Sequence, residues 1–102
     1  MKRLEWEGEE EDRQAALRAA QQRAEFLEHQ VGEPLVISNE FAEIRVIRVE
    51  TRNGARLMID SHKSGQWITL DPLELEALTW QSTATISAMV GHPFGSLIAE
   101  DQ

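Results

Sequence analysis

Three carboxylates lie close together in the stretch LDPLELEAL, which covers residues 70–78. Clustered carboxylates of this kind could bind a divalent cation or transfer a proton. The same letters are also typical of the start of a helix, because Asp71 fits the N-cap, Pro72 the first helical position and Glu74 the third. We therefore predict that Asp71 and Glu74 bind backbone amides at the helix start and that Glu76 points to solvent.

A second set of reactive residue types is Asp60–Ser61–His62, which contains the letters of a catalytic triad. Consecutive residues of a strand point to opposite faces, so these three side chains cannot converge locally. The other two histidines, His29 and His92, have no second ligand at a helical metal-binding spacing, and the chain has no cysteine. We predict no catalytic residue, no metal site and no cofactor.

The balance of charge disfavours one class of partner. The chain has 102 residues and a net charge of −8, whereas nucleic acids and anionic membranes are bound through clustered Lys and Arg. No apolar run approaches the roughly 20 residues of a membrane span, and the first residues lack the apolar region of a secretory signal. We expect a cytoplasmic protein whose partner is a protein, either a larger enzyme subunit or a second copy of itself.

Residues 9–31 predict a long helix, because Ala, Gln, Glu, Arg and Leu dominate. Gly32 and Pro34 are expected to end it, which divides the chain into an acidic leader and helical arm (1–34) and a small α+β domain (35–102). The arm either packs on its own domain or docks on another chain. Its apolar residues follow steps of three and four, and this seam consists of Leu17, Ala20, Ala24, Leu27 and Val31.

Residues 41–70 predict an antiparallel meander, joined by a short strand at 35–38. Asn53–Gly54 is a strong hairpin signal. A three-residue loop that ends with Gly54 in the left-handed conformation aligns the apolar residues best, so we predict that register. This register sets Ile47 opposite Ile59 and Val49 opposite Leu57. A four-residue turn over 62–65 follows and sets Ile59 opposite Ile68 and Leu57 opposite Leu70. These pairings place six residues on the predicted core face: Ile47, Val49, Leu57, Ile59, Ile68 and Leu70.

The opposite face of the predicted sheet carries Met58 and Trp67, and Ile44 and Val46 fall on it as well. Large apolar side chains of this kind are costly to expose. We therefore expect either the arm helix or another protein to cover them.

Two short helices are predicted after the sheet, one that starts at Pro72 and one over residues 83–90, with Ser82 as its cap and Gly91 at its end. Trp80 lies between them and either packs over the sheet edge or faces a partner. The predicted fold class is α+β: an antiparallel meander of three to four strands packed by C-terminal helices, with a long N-terminal helix.

Residues 37–95 contain the segments ISNEFAEIRV, ETRNGARLMI, LDPLELEALTWQ and HPFG. In these segments the chain resembles small actinobacterial proteins carried under the name dihydrodiol dehydrogenase. That name implies nicotinamide-dependent oxidation of an aromatic cis-diol. The sequence departs from this chemistry, because it has no Rossmann unit with a Gly-rich turn and no tyrosine to transfer a proton. The resemblance thus implies an association with catabolic oxidoreductases.

These observations favour a non-catalytic small subunit or accessory protein that binds a larger partner, with a catabolic oxidoreductase as the candidate. Its expected contact residues are the arm seam together with Met58, Trp67 and Trp80. The alternative is a homo-oligomeric small-molecule-binding domain, with its pocket under the two tryptophans.

The purified protein is expected not to reduce NAD in the presence of any aromatic cis-dihydrodiol, because the chain has neither the cofactor-binding fold nor the tyrosine that the reaction requires. Absorbance at the reduced-nicotinamide band measures this directly. Turnover that persists after removal of contaminating enzymes would contradict the prediction.

Overall fold

The computed structural model describes residues 8–91; the predictions for the leader, for His92 and for the C-terminal tail lie outside that range. Three helices and a four-stranded antiparallel sheet confirm the α+β class. The elements are α1 (Gly8–Glu28), β1 (Gln30–Ser38), β2 (Glu43–Thr51), β3 (Gly54–Asp60), β4 (Trp67–Leu70), α2 (Pro72–Leu78) and α3 (Thr83–Gly91).

The chain forms two compact units, one that ends at Asp71 and one that begins at Pro72. The first unit contains α1 and the whole sheet, and the second contains α2 and α3. No helix within residues 8–91 is long and apolar enough to cross a membrane.

Helix α1 is shorter than predicted at its C-terminal end. Three acidic residues follow Gly8 in the first turn, where the helix dipole favours negative charge. The helix ends at Glu28, and the amide of His29 donates to the carbonyl of Phe26 at 2.9 Å. Residues 30–38 then form β1, so the predicted helix end at residue 31 is wrong. Pairing with β2 overrides the helix propensity of these residues, because tertiary contacts outweigh a weak local preference.

The sheet has the order β1-β2-β3-β4, and each neighbouring pair is antiparallel. The pairing of β3 with β4 is the predicted one, with Ile59 opposite Ile68 and Leu57 opposite Leu70. The pairing of β2 with β3 differs from the prediction by one residue, because Ile47 lies opposite Met58. A slip of one residue turns the apolar set of a strand to the other face, so the predicted six-residue core face is wrong.

The β2–β3 hairpin turns through two residues, Arg52 and Asn53, with Thr51 opposite Gly54. The Thr51 hydroxyl donates to the Gly54 carbonyl at 2.8 Å and accepts from the Asn53 amide at 3.2 Å. Only Gly54 has a positive φ in this turn, at 118°. The turn therefore ends one residue earlier than the predicted three-residue loop, and Gly54 opens β3.

The core of the first unit lies between α1 and one face of the sheet. Its fully buried apolar residues are Ile47, Val49 and Met58. Phe26 and Leu27 of α1 pack against this cluster, as does Trp67, whose ring meets that of Phe26 edge-on at 6.0 Å. The arm thus packs on its own domain, the first of the two interpretations that the sequence allowed. We call this side of the sheet the helix face.

The second unit follows the sequence prediction closely. Helix α2 begins at Pro72, directly after Asp71, and α3 covers the predicted range. The Ser82 hydroxyl accepts from the amide of Thr85 at 3.1 Å, which is an N-cap. Neither helix contains a buried residue.

Gly54→Ala is expected to lower the free energy of unfolding by about 1–3 kcal/mol, because a φ of 118° strains any side-chain-bearing residue. No atom lies within 4 Å of an added methyl group there, so the cost is one of backbone strain. Gly91→Ala, at a position with equal space and no positive φ, is the matched control. Urea unfolding followed by circular dichroism measures both, and equal stabilities would contradict the assigned turn.

Candidate protein-binding surface

The register of the sheet places apolar side chains on the face opposite α1. Because residues directly opposite one another in an antiparallel pair share a face, the pairs of Leu35 with Val46 and of Ile59 with Ile68 lie on one side. We call this side the apolar face. Its apolar residues are Val31, Leu35, Ile37, Ile44, Val46, Leu57, Ile59, Ile68 and Leu70.

The outer strands carry the most exposed residues of the apolar face. On β1, Leu35 is 61% exposed and Ile37 58%, and on β4 Ile68 is 52% exposed. None of the fully buried residues of the first unit lies on this side. Exposed apolar side chains on both outer strands of one sheet face are a feature of interaction surfaces, so the apolar face is the candidate binding surface.

Only two charged residues lie on the apolar face among the positions whose pairing is defined. Arg48 and Glu50 are neighbours on β2, at the end nearest the hairpin. They form an ion pair with 2.6 Å between guanidinium nitrogen and carboxylate oxygen. The rest of the face is apolar, so it is electrically neutral on a chain of net charge −8.

Both edges of the sheet are poorly suited to adding another strand. Strand β1 contains Pro34, which lacks an amide donor, and Gly32 with a φ of 78°, and its register with β2 shifts between Val31 and Leu35. Strand β4 has only four residues. Proline, bulges and short strands are the features by which proteins prevent edge-to-edge pairing. The broad face, rather than an edge, is therefore the candidate binding surface.

The helix face carries a buried carboxylate, Asp60, that forms an ion pair with Arg23 of α1. Asp60 is 2% exposed, and both its carboxylate oxygens accept from Arg23 of α1, at 3.0 Å from Nε and 2.8 Å from a terminal nitrogen. These hydrogen bonds lower the pKa of Asp60 against the effect of burial, and the positive charges of Arg23 and Arg45 lower it further.

This ion pair uses the carboxylate that the sequence placed in a possible triad. Asp60 is bound by Arg23 on both oxygens, and the Ser61 hydroxyl accepts from that of Ser64 at 2.8 Å. Within residues 8–91 no three His, Asp or Glu side chains are grouped to hold a metal ion. The arrangement can therefore fix α1 to the sheet, and it occupies both oxygens of the Asp60 carboxylate.

The residues predicted to bind a partner are dispersed. On α1, Leu17 is 54% exposed and Ala20 and Ala24 are exposed, whereas Leu27 packs on the core. The side of α1 that lies on the sheet instead consists of Ala19, Arg23, Phe26 and Leu27.

The remaining predicted contact residues lie on different surfaces. Val31 belongs to β1 and not to the helix seam. Met58 is completely buried, so a partner cannot reach it while α1 covers the helix face. Trp67 packs against Phe26, and Trp80, in the second unit, is 81% exposed.

Sequence reasoning did not identify the apolar face as one surface, because it divided its residues between the two sides of the sheet. It assigned Leu57, Ile59, Ile68 and Leu70 to the core and Ile44 and Val46 to the opposite face. One feature of the sequence indicated this surface. Ile44 and Val46 alternate on one side of β2 and Ile47 and Val49 on the other, so β2 is apolar on both sides. Comparisons with protein-family models, with curated proteins and with solved structures find no match to this chain. Its function has to be inferred from these surfaces.

Arg23→Leu is expected to lower the free energy of unfolding at pH 7 by about 2–3 kcal/mol. Loss of one partner from a buried pair costs about 3–5 kcal/mol, and Arg23 retains 33% of its exposure, which reduces the effect. Because the pKa of Asp60 is lowered in the folded state, the pair stabilises the protein above the ordinary pKa of 3.8. That contribution is lost as the pH falls through the lowered value.

Unfolding free energies measured in urea between pH 7 and pH 2 test this prediction. The difference between the wild type and Arg23→Leu should shrink as the pH falls below about 4, because protonated Asp60 no longer needs a counter-charge. Arg13→Leu, which breaks an exposed ion pair with Glu10, is the control and should change stability little. A difference that stays constant with pH would mean that packing, not charge, is responsible.

Proposed function

We propose that this protein is a non-catalytic protein-binding module, acting as a small subunit or accessory protein, and that the apolar face is its binding surface. The observation that carries the proposal is the exposure of Leu35, Ile37 and Ile68 on one side of a sheet whose other side is already covered by α1. Burial of apolar surface is the main driving force of protein association.

The resemblance to proteins named dihydrodiol dehydrogenase supports a catabolic oxidoreductase as the larger enzyme that this protein would bind. It supports no chemistry in this chain. The carboxylate best placed for acid–base work, Asp60, is bound on both oxygens by Arg23, which holds it ionised and hydrogen-bonded rather than ready to accept a proton.

The alternative, a small-molecule-binding domain, gains no support from the first unit. This alternative places a ligand-binding pocket under Trp67. The ring of Trp67 instead contacts Phe26 edge-on and packs on the core cluster. That contact uses surface that a ligand would need.

Ile37→Lys is expected to abolish partner binding, because it places a charge on the exposed apolar surface of β1 that the proposed partner would remove from water. Val36→Lys is the matched control. The two residues are neighbours on β1 with similar exposures of 58% and 53%, but Val36 lies on the helix face. Both substitutions change the net charge by the same amount. A difference in partner binding between the two variants therefore shows which face of the sheet the partner contacts.

The measurement is affinity purification of tagged protein from cells of the source organism, with quantitative mass spectrometry of stoichiometric partners, including untagged copies of this chain. A third variant, Leu17→Lys, tests the exposed seam of α1. Loss with Ile37→Lys alone supports the apolar face. Loss with Leu17→Lys but not with Ile37→Lys would move the interface to α1 and contradict the proposal.

A further inference from the structure

We infer that the occupant of the apolar face is the apolar face of a second copy of this chain, packed sheet on sheet about a two-fold axis that runs along the strands. This inference rests on the proposed function and names its partner. Three observations on the first unit support it: the width of the face, the arrangement of its charges and the state of the sheet edges.

The width of the face favours a sheet as its occupant. Four strands about 4.8 Å apart make a surface roughly 15–19 Å across, whereas one helix is about 10 Å in diameter. On the helix face one helix covers only the middle of the sheet. Helix α1 buries Ile47 and Met58 on the two central strands but leaves Val36 on β1 53% exposed.

A single helix on the apolar face would likewise miss the outer strands, where its most exposed residues lie. These residues are Leu35 and Ile37 on β1 and Ile68 on β4. A second twisted sheet, packed face to face at about 10 Å, reaches all four strands. The same chain supplies such a sheet with apolar residues in matching positions.

The charges of the apolar face are self-complementary. Arg48 and Glu50 lie side by side at the hairpin end of β2. A two-fold axis along the strands brings the hairpin ends of both copies together and keeps every residue at its own height. The neutral Arg48–Glu50 pair of each copy then lies beside that of its partner, and Arg48 can reach Glu50 of the partner diagonally. An axis across the strands would instead set these charges over apolar residues, where an unpaired charge is costly.

The net charge of −8 does not oppose this arrangement at the interface itself. The acidic run Glu9–Asp12 lies at the start of α1, and α1 packs on the other side of the sheet. The sheet edges exclude the competing mode of self-association, because Pro34, the shift in register and the short β4 prevent continuation of the sheet across copies.

Charge reversal in two separate variants tests the inference. Arg48→Glu makes the hairpin end of the face wholly acidic, and Glu50→Arg makes it wholly basic. Each variant alone should dimerise about tenfold more weakly than the wild type, since like charges then oppose one another. In an equimolar mixture, oppositely charged ends meet, so heterodimers should exceed the roughly one-half share expected from random pairing.

Native mass spectrometry of the mixed variants measures the heterodimer share, and light scattering after size exclusion gives the dissociation constants. Arg13→Glu and Glu10→Arg, on the exposed face of α1, form the matched control pair and should show random pairing. Circular dichroism confirms that each variant is folded. Random pairing of the Arg48 and Glu50 variants would overturn the inference.

The wild type should be a dimer in the micromolar range and Ile37→Lys a monomer. A wild-type monomer at every concentration overturns the second-copy inference. If Ile37→Lys nevertheless loses a stoichiometric partner in the affinity purification, the proposed function survives with a different chain on the apolar face. If Ile37→Lys changes neither the oligomeric state nor the purified partners, the proposed function fails as well.

Discussion

The pairing of β2 with β3 is the constraint on which the rest of the first unit depends. With Thr51 opposite Gly54, every second residue of β2 is assigned to a face. Ile47 and Val49 then join Met58 beneath α1, and Val46 joins Ile59 on the other side. A shift of one residue would exchange these sets, so the two-residue turn determines both the core and the surface available to a partner.

The register also creates the need for the Arg23–Asp60 ion pair. It places Asp60 on the helix face, where 98% of its surface is removed from water, and a buried carboxylate without a partner is strongly destabilising. Arg23 meets both oxygens with a planar guanidinium, the geometry best suited to a carboxylate. The pair thus fixes the rotation and position of α1 on the sheet, because only one helix orientation delivers Arg23 to Asp60 while Phe26 meets Trp67.

Local sequence signals predicted the elements of this protein better than their pairing. Helix α1, the β3–β4 register, the start of α2 at Pro72 and the cap at Ser82 follow from composition, turn length and helix-start residues, all of which act over a few positions. The β2–β3 register was wrong because β2 is apolar on both sides, so alternation could not select a face.

The candidate site was less predictable than the fold for the same reason. A surface that spans four strands depends on the register of every neighbouring pair. Because the predicted β2–β3 register was wrong by one residue, Leu57, Ile59 and Ile68 were assigned to the core although they lie on the surface. The ion pair joins residues 37 positions apart, and no local pattern links an Arg on a helix to an Asp at the end of a strand. Both features become visible only when α1 is seen against the sheet.

The small core suggests how burial of the apolar face would affect the stability of this protein. Within the described residues only Ile47, Val49 and Met58 are fully buried apolar side chains, and a chain of this length gains limited stability from a single layer of packing. A second layer on the apolar face would bury a comparable set of side chains and complete a two-sided core around the sheet. Association would then contribute to the folded state itself, so that stability would rise with the concentration of the partner. If the proposed partner binds the apolar face, folding and binding would form one coupled equilibrium, in which the ion pair sets the arrangement of the first layer and the partner would supply the second.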